Sequence, residues 1–136
     1  MRKLLSIHYS DGAFNFTMLL QRVITGLLLL IEHGLPKVSS FQELSGSFYD
    51  PFHVGHRFSL ILVILAEMFC SMLIILGLFT RFAALIIVIS LSVAVFVYPH
   101  SMSLKNMETG VLYLTSVFSV MILGPGRISV DGMMGK

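Results

Sequence analysis

The fold is decided by residues 58–98, which read FSLILVILAEMFCSMLIILGLFTRFAALIIVISLSVAVFVY. The fully charged side chains in this stretch are Glu67 and Arg81. A helix on the surface of a soluble protein carries a charged outer face, and neither half of the stretch has one. A helix rises about 1.5 Å per residue, so roughly 20 residues cross the hydrocarbon core of a bilayer. The stretch therefore predicts two membrane-spanning helices, at about residues 58–79 and 82–98.

Two more apolar segments flank this pair, at about residues 14–35 and 108–123. In chain order, the four segments are spans one to four. Proline cannot donate to a helical hydrogen-bond ladder, so Pro99 is expected to stop span three and Pro125 to stop span four. The turn at Thr80 and Arg81 is so short that spans two and three must be antiparallel neighbours. The sequence therefore predicts an all-α fold, an antiparallel four-helix transmembrane bundle that forms one domain over residues 1–136.

Composition supports lipid as the solvent of this chain. Of 136 residues, 12% are charged and 56% are apolar, whereas soluble domains have about 25% charged residues. The mean hydropathy is +0.91, and a small soluble protein could not cover its surface with so few polar side chains. The basic residues are few and scattered, which excludes a nucleic-acid-binding stripe. A single cysteine, Cys70, excludes an internal disulfide and a CxxC redox pair.

The connection between spans one and two, residues 36–57, is rich in aromatic and large apolar side chains. Such a segment is expected to lie in the membrane interface instead of forming a free loop. Its members are Phe41, Leu44, Phe48, Tyr49 and Phe52.

The distribution of lysine and arginine predicts the orientation. The side with both termini has more basic residues, which favours cytoplasmic termini because cytoplasmic segments are enriched in them. The basic residues on that side are Arg2, Lys3, Arg81, Arg127 and Lys136. Those on the other side are Lys37, Arg57 and Lys105.

Charged groups within the spans are expected to face a common interior, because each costs about 2.5–3.5 kcal/mol at the centre of a bilayer. Helical spacing gives three of the spans one polar stripe each. The stripe of the first span contains Arg22 and His33, and that of the second contains Glu67 and Ser71. The stripe of the fourth contains Glu108, Thr115 and Ser119. The sequence therefore predicts a buried polar network that contains Arg22, His33, Glu67 and Glu108.

Arg22 and Glu67 should differ in depth by roughly 6 Å, which is within reach of an arginine side chain. We therefore expect an Arg22–Glu67 pair. It would act either as a structural lock between two helices or as a group that handles protons or a ligand.

A second cluster of polar residues is expected at the outer end of the bundle. A quinone-headgroup or proton-exchange site, a metal site and a solvated interfacial cluster are the alternatives. His53 and His56 have a spacing that metal ligands use, but this spacing is unspecific, and no metal is assigned. Haem is disfavoured because its one candidate ligand pair, His33 and His100, lies at span ends. The cluster consists of Glu32, His33, Lys37, His53, His56, Arg57, His100, Lys105 and Glu108.

With these residues laid out, the chain resembles the DoxX-like family of small four-helix integral membrane proteins over about residues 19–131. The resemblance rests on Arg22, the Glu32-His33-Gly34-x-x-Lys37 exit from the first span, Glu67, the Gly77-Leu78-Phe79-Thr80-Arg81 turn, Glu108 and the Gly124-Pro125-Gly126-Arg127-Ile128-Ser129-Val130-Asp131 tail. It implies a structural ionic cluster of Arg81, Arg127 and Asp131 at the cytoplasmic end. It also implies a location in the cytoplasmic membrane of a prokaryote.

Some proteins of this family resemble a small subunit of quinone-linked sulfur or terminal oxidase complexes, and the family assigns no catalytic residue that matches this pattern. The leading hypothesis is therefore a quinone- or redox-associated subunit, at most part of an oxidoreductase. A protein partner would supply the electron chemistry, because the sequence has no flavin, nicotinamide or iron–sulfur motif. The alternative is a non-catalytic assembly or scaffold factor for a larger complex. A homo-oligomeric transporter is a third hypothesis, although paired broken helices are absent from the sequence pattern.

Overall fold

The computed structural model describes residues 4–46, 53–97 and 104–135, except for the side chains of Leu44, Val97 and residues 104–107. All regular secondary structure within these residues is helical. The helices are α1 (Asp11–Ser39), α2 (Phe41–Leu44), α3 (His56–Leu76), α4 (Thr80–Ser92), α5 (Leu104–Leu123) and α6 (Val130–Met133).

Two of these helices are long and apolar enough to cross a membrane, α1 with 29 residues and α3 with 21 residues. The apolar segments Thr80–Phe96 and Glu108–Leu123 are shorter. Ser10 begins α1 as its N-cap, since the Ser10 side chain accepts a hydrogen bond from the Ala13 N–H at 3.1 Å. The described chain therefore has the helical, membrane-like character that the sequence predicts.

Three segments within or after the long helices form wider, π-helical turns, Leu30–Gly34 in α1, Leu65–Phe69 in α3 and Val93–Val97 directly after α4. The Leu35 N–H donates to the Leu30 carbonyl, which is the i to i−5 bond of a π turn. Because Pro36 has no N–H to donate, an unmodified α-helix would be disrupted here. The wider turn lets the helix continue to Ser39, four residues beyond the predicted end of the first span near residue 35.

The long helices contact one another in a closed order. Helix α1 packs on α3, α3 on α4, α4 on α5, and α5 again on α1. The buried core contains small residues that allow close approach and larger apolar residues that fill the space between helices. Its members are Leu29, Cys70, Ile74, Ala83, Ala84, Ile87, Leu91 and Val117.

The α3–α4 turn adopts a defined backbone motif. Gly77 has a φ of 75°, the Gly77 N–H donates to the Ile74 carbonyl at 3.1 Å, and the Leu78 N–H donates to the Leu73 carbonyl at 2.9 Å. This pattern is a Schellman motif, in which glycine supplies the left-handed conformation. A Cβ at Gly77 would also lie 2.4 Å from the Cβ of Ser129. The C-terminal tail therefore packs directly on the turn.

The predicted interfacial segment is only partly within the described residues. Phe41 belongs to α2, and the guanidinium of Arg57 lies 5.7 Å from its ring centroid. Phe48, Tyr49 and Phe52 lie outside the described residues.

Helix α1 approaches α3 closely at Gly26, where a Cβ would lie 2.5 Å from Ile75 Cγ1 and 3.2 Å from the Ser71 carbonyl oxygen. We expect Gly26→Leu to force these helices apart and to cost about 1–3 kcal/mol or more of stability, as overpacking does. Gly12→Leu is the matched control, because Gly12 belongs to the same helix and a Cβ there meets nothing within 4 Å. Thermal unfolding in detergent should show a lower Tm for Gly26→Leu alone. Equal values for both variants would contradict this packing.

Candidate functional site

The π turns of α1 and α3 lie against each other, and each carries one ionisable residue of the candidate site. His33 belongs to the first turn and Glu67 to the second. A π turn displaces side chains from their α-helical positions and occurs frequently at functional sites. The two facing turns therefore direct polar groups into one region between α1 and α3.

Glu67 forms an ion pair with Lys37, whose Nζ donates to the Glu67 Oε2. The side chain of Glu67 is 6% exposed and that of Lys37 is 21% exposed. The Lys37 Nζ also lies 3.5 Å from the carbonyl oxygen of His33. The hydroxyl of Ser71 donates to the backbone carbonyl of Glu67. The nearly buried acid and the half-buried base thus balance each other's charge, as a low-polarity environment requires.

His33 completes the cluster from α1. Its ring packs edge-on against the ring of Tyr113 from α5, with the centroids 5.1 Å apart and the planes at 88°. Glu67, Lys37 and Glu32 all lie near enough to His33 to interact electrostatically with its ring. We call His33, Lys37, Glu67 and Tyr113 the polar site.

The predicted Arg22–Glu67 pair is wrong, because the structure gives the two residues different partners. Arg22 is 2% exposed, and its Nη1 and Nη2 donate to the carbonyl oxygens of Pro125 and Ile128, both at 2.7 Å. Glu67 binds Lys37 instead. Arg22 therefore connects α1 to the C-terminal tail and does not belong to the polar site.

Asp131 is the buried acidic residue of the C-terminal tail, and it follows the two residues that bind Arg22. Its carboxylate accepts hydrogen bonds from the N–H groups of Phe79 and Thr80 and from the Thr80 hydroxyl, each at 3.0 Å. These donors begin α4, and an acidic side chain there is favourable to the helix dipole. Phe79 has a φ of 47°, which is unusual for a residue other than glycine. The tail thus stabilises the turn, and Arg81, Arg127 and Asp131 all line one cleft beside it.

The predicted interior stripe of α5 is wrong in its register. Glu108 and Thr115 are exposed, and the Thr115 hydroxyl donates to the Val111 carbonyl of its own helix at 2.8 Å. Ser116 faces α1 instead. Its hydroxyl lies 2.8 Å from the hydroxyl of Thr25 and 3.3 Å from the Nε2 of Gln21, which donates to it. Glu108 therefore lies outside the polar interior.

The remaining residues of the predicted outer cluster do not join the polar site. His53 and His56 are exposed before and at the start of α3, and Glu32 is exposed on α1. His100 and the side chain of Lys105 lie outside the described residues. Among the described residues, no three His, Cys, Asp or Glu side chains come together as metal ligands would.

Sequence reasoning missed Tyr113 and the role of Lys37 as the partner of Glu67. The spacing of His33 and Lys37, one helical turn apart, was the available signal for Lys37. This spacing places the two residues on one face only if the helix continues through Pro36. Nothing in the sequence indicated a role for Tyr113, because aromatic residues are common in apolar spans.

Comparison with known proteins gives a family and no individual relative. A model of the DoxX family matches residues 17–100, which include most of α1 and all of α3 and α4. Searches of curated proteins and of solved structures found no match. The match includes the polar-site residues of α1 and α3, whereas the tail that binds Arg22 lies beyond it. The chain therefore belongs to the DoxX family.

Proposed function

We propose that α1, α3, α4 and α5 cross the bilayer as an antiparallel four-helix bundle. The closed order of helix contacts and the apolar character of all four helices support this arrangement. Arg81 and Arg127 lie at the tail end of the bundle, and the excess of basic residues on that side favours a cytoplasmic location for both termini. We propose that this membrane is the cytoplasmic membrane of a prokaryote, as the resemblance to the DoxX family implies.

We propose further that the polar site binds a quinone headgroup and exchanges protons with it. The observation that carries this proposal is the meeting of Lys37, Glu67 and His33 between two helices that are long enough to cross a membrane. Ionisable groups at such positions are expensive and commonly mark ligand sites or proton paths. Quinones are lipid-soluble, and their carbonyl oxygens accept hydrogen bonds.

Each residue of the polar site has a chemical part in this proposal. His33, Lys37 and Tyr113 are half-buried, so each of these residues retains some accessible surface. The Lys37 ammonium and the His33 imidazole can donate hydrogen bonds and protons, and Glu67 stabilises the positive charge of Lys37. A quinone takes up two electrons and two protons to become a quinol. The electrons come from a redox partner protein, because the chain has no electron-carrier motif of its own.

Co-purification is the test. The protein is extracted gently from its own membrane, and mass spectrometry measures bound quinone and companion chains. We expect quinone and a redox protein with the unmodified chain. The variant Lys37→Met/Glu67→Leu should lose at least about tenfold of the bound quinone, and Arg57→Gln, an exposed change outside the site, should retain it.

The other outcomes of this experiment contradict the proposal. A structural partner without quinone would support the scaffold function. Absence of both, together with solute flux in proteoliposomes, would support a transporter. Equal quinone in Lys37→Met/Glu67→Leu would show that the quinone is bound elsewhere.

A further inference from the structure

A cleft of about 780 Å³ opens at the tail end of the molecule, away from the polar site. Its walls come from the start of α1, the α3–α4 turn and the tail that follows α5. It is independent of the polar site, because none of the four polar-site residues lines it. Two kinds of surface meet in it, a basic one and an aromatic one.

Arg81 and Arg127 supply the basic surface, and both are exposed. Within the part of the chain that the structure describes, neither guanidinium forms an ion pair with a carboxylate. The Arg81 guanidinium lies against Gly124, where a Cβ would be 3.2 Å from its Nη2. The Arg127 N–H donates to Asn15 Oδ1 at 2.8 Å, which fixes the backbone that carries the second arginine.

The acidic residues of the cleft do not cancel these charges. Asp131 is 7% exposed, its carboxylate accepts three hydrogen bonds from Phe79 and Thr80, and it interacts electrostatically with Arg22. Asp11 is exposed in the first turn of α1, where the positive end of the helix dipole offsets its charge. The cleft thus retains two guanidinium groups that are available to an anion.

The apolar surface lies beside the arginines. Phe79, Phe82 and Leu123 line the cleft and are 52%, 64% and 50% exposed. Tyr9 and Phe14 also line the cleft, with ring centroids 5.9 Å apart. A tyrosine ring is typical of the boundary between headgroups and acyl chains, and the exposed phenylalanine and leucine side chains offer apolar surface on which acyl chains can pack. An occupant with an anionic head and an apolar tail would match both surfaces.

We propose that this cleft binds an anionic phospholipid, with its phosphate between Arg81 and Arg127 and its acyl chains along Phe79, Phe82 and Leu123. Guanidinium groups bind phosphate oxygens in a bidentate manner, and basic pockets at the cytoplasmic face of membrane helices accept such headgroups. A soluble phosphate compound has the same head chemistry but would leave the aromatic surface uncovered.

The test measures the Tm of the purified protein in neutral detergent during titration with phosphatidylglycerol, phosphatidylcholine or inorganic phosphate. We expect phosphatidylglycerol to raise the Tm at concentrations at least about tenfold lower than phosphatidylcholine. In Arg81→Gln/Arg127→Gln this preference should disappear, and in Arg57→Gln, which removes an exposed arginine remote from the cleft, it should persist. The single variants Arg81→Gln and Arg127→Gln should each lose part of the preference, so the test remains decisive if the double variant does not fold.

Two results would overturn the proposal. An unchanged preference for phosphatidylglycerol in the arginine variants would place the lipid elsewhere. Stabilisation of the unmodified chain by inorganic phosphate as strong as by phosphatidylglycerol, and lost in the same variants, would identify a soluble phosphate compound as the occupant. Neither result depends on quinone binding, so the two proposals fail separately.

Discussion

Arg22→Met should lower the Tm of the purified protein by about 10 °C or more, corresponding to a loss of about 3–5 kcal/mol of stability. The change leaves the carbonyl oxygens of Pro125 and Ile128 without their arginine donors. It also removes a positive charge that interacts electrostatically with the buried Asp131. Hydrogen bonds to a charged group contribute about 1.5–3 kcal/mol each, and buried groups left unpaired add a desolvation cost.

Arg22→Lys and Arg57→Met are the controls for this prediction. A lysine retains the charge but has no fork with which to bind both carbonyls in the same geometry, so we expect an intermediate Tm. Arg57 is exposed, and its replacement should change the Tm by little. Limited proteolysis should cut Arg22→Met after residue 123 faster than the unmodified chain. A Tm and a cleavage rate close to those of the unmodified chain would show that Arg22 does not stabilise the tail.

Removing one member of the Lys37–Glu67 pair should destabilise the protein more than removing both. Glu67→Leu leaves the Lys37 ammonium without its acid, and Lys37→Met leaves the nearly buried carboxylate without its base. Each single change should cost about 3 kcal/mol, whereas apolar replacement of a whole buried pair is often neutral or stabilising. The double variant Lys37→Met/Glu67→Leu should therefore melt near the unmodified chain.

Thermal unfolding of the four proteins gives the coupling energy as a double-mutant cycle. We expect a coupling of about 6 kcal/mol, because two single losses of about 3 kcal/mol each are replaced by a loss near zero in the double variant. Additive losses would mean that the two side chains do not stabilise each other. The cycle also separates stability from function, because the restored double variant should still lack quinone binding.

The all-helical, apolar character of the chain was predictable from the sequence because hydropathy acts over whole segments. The apolar runs of α3 and α4 and the glycine in the turn between them are strong local signals. Helix ends were less predictable. The standard effect of Pro36 is to end a helix, and the π turn that accommodates it has no sequence signature.

The pairing of polar residues was less predictable than the helices. The predicted Arg22–Glu67 pair rested on the depths of the two residues in straight α-helices. It considered only side chains as partners for Arg22. In the structure Arg22 donates instead to the backbone carbonyl oxygens of Pro125 and Ile128. Because every residue has a backbone carbonyl, no residue type in the sequence indicates such a partner. The same assumption placed Thr115 inside, whereas packing selects its neighbour Ser116.

The π turn before Pro36 determines how chains of different length should be aligned. A π turn accommodates one residue more than an α turn, so the segment that follows is displaced by about 100° around the helix axis from where an unbroken α-helix would place it. A homologue with one residue fewer between Leu30 and Gly34 could therefore keep its lysine opposite the acid on α3. In a sequence alignment with such a homologue, a one-residue gap at this point would keep the two lysines at equivalent positions. An alignment without the gap would pair Lys37 with a different residue.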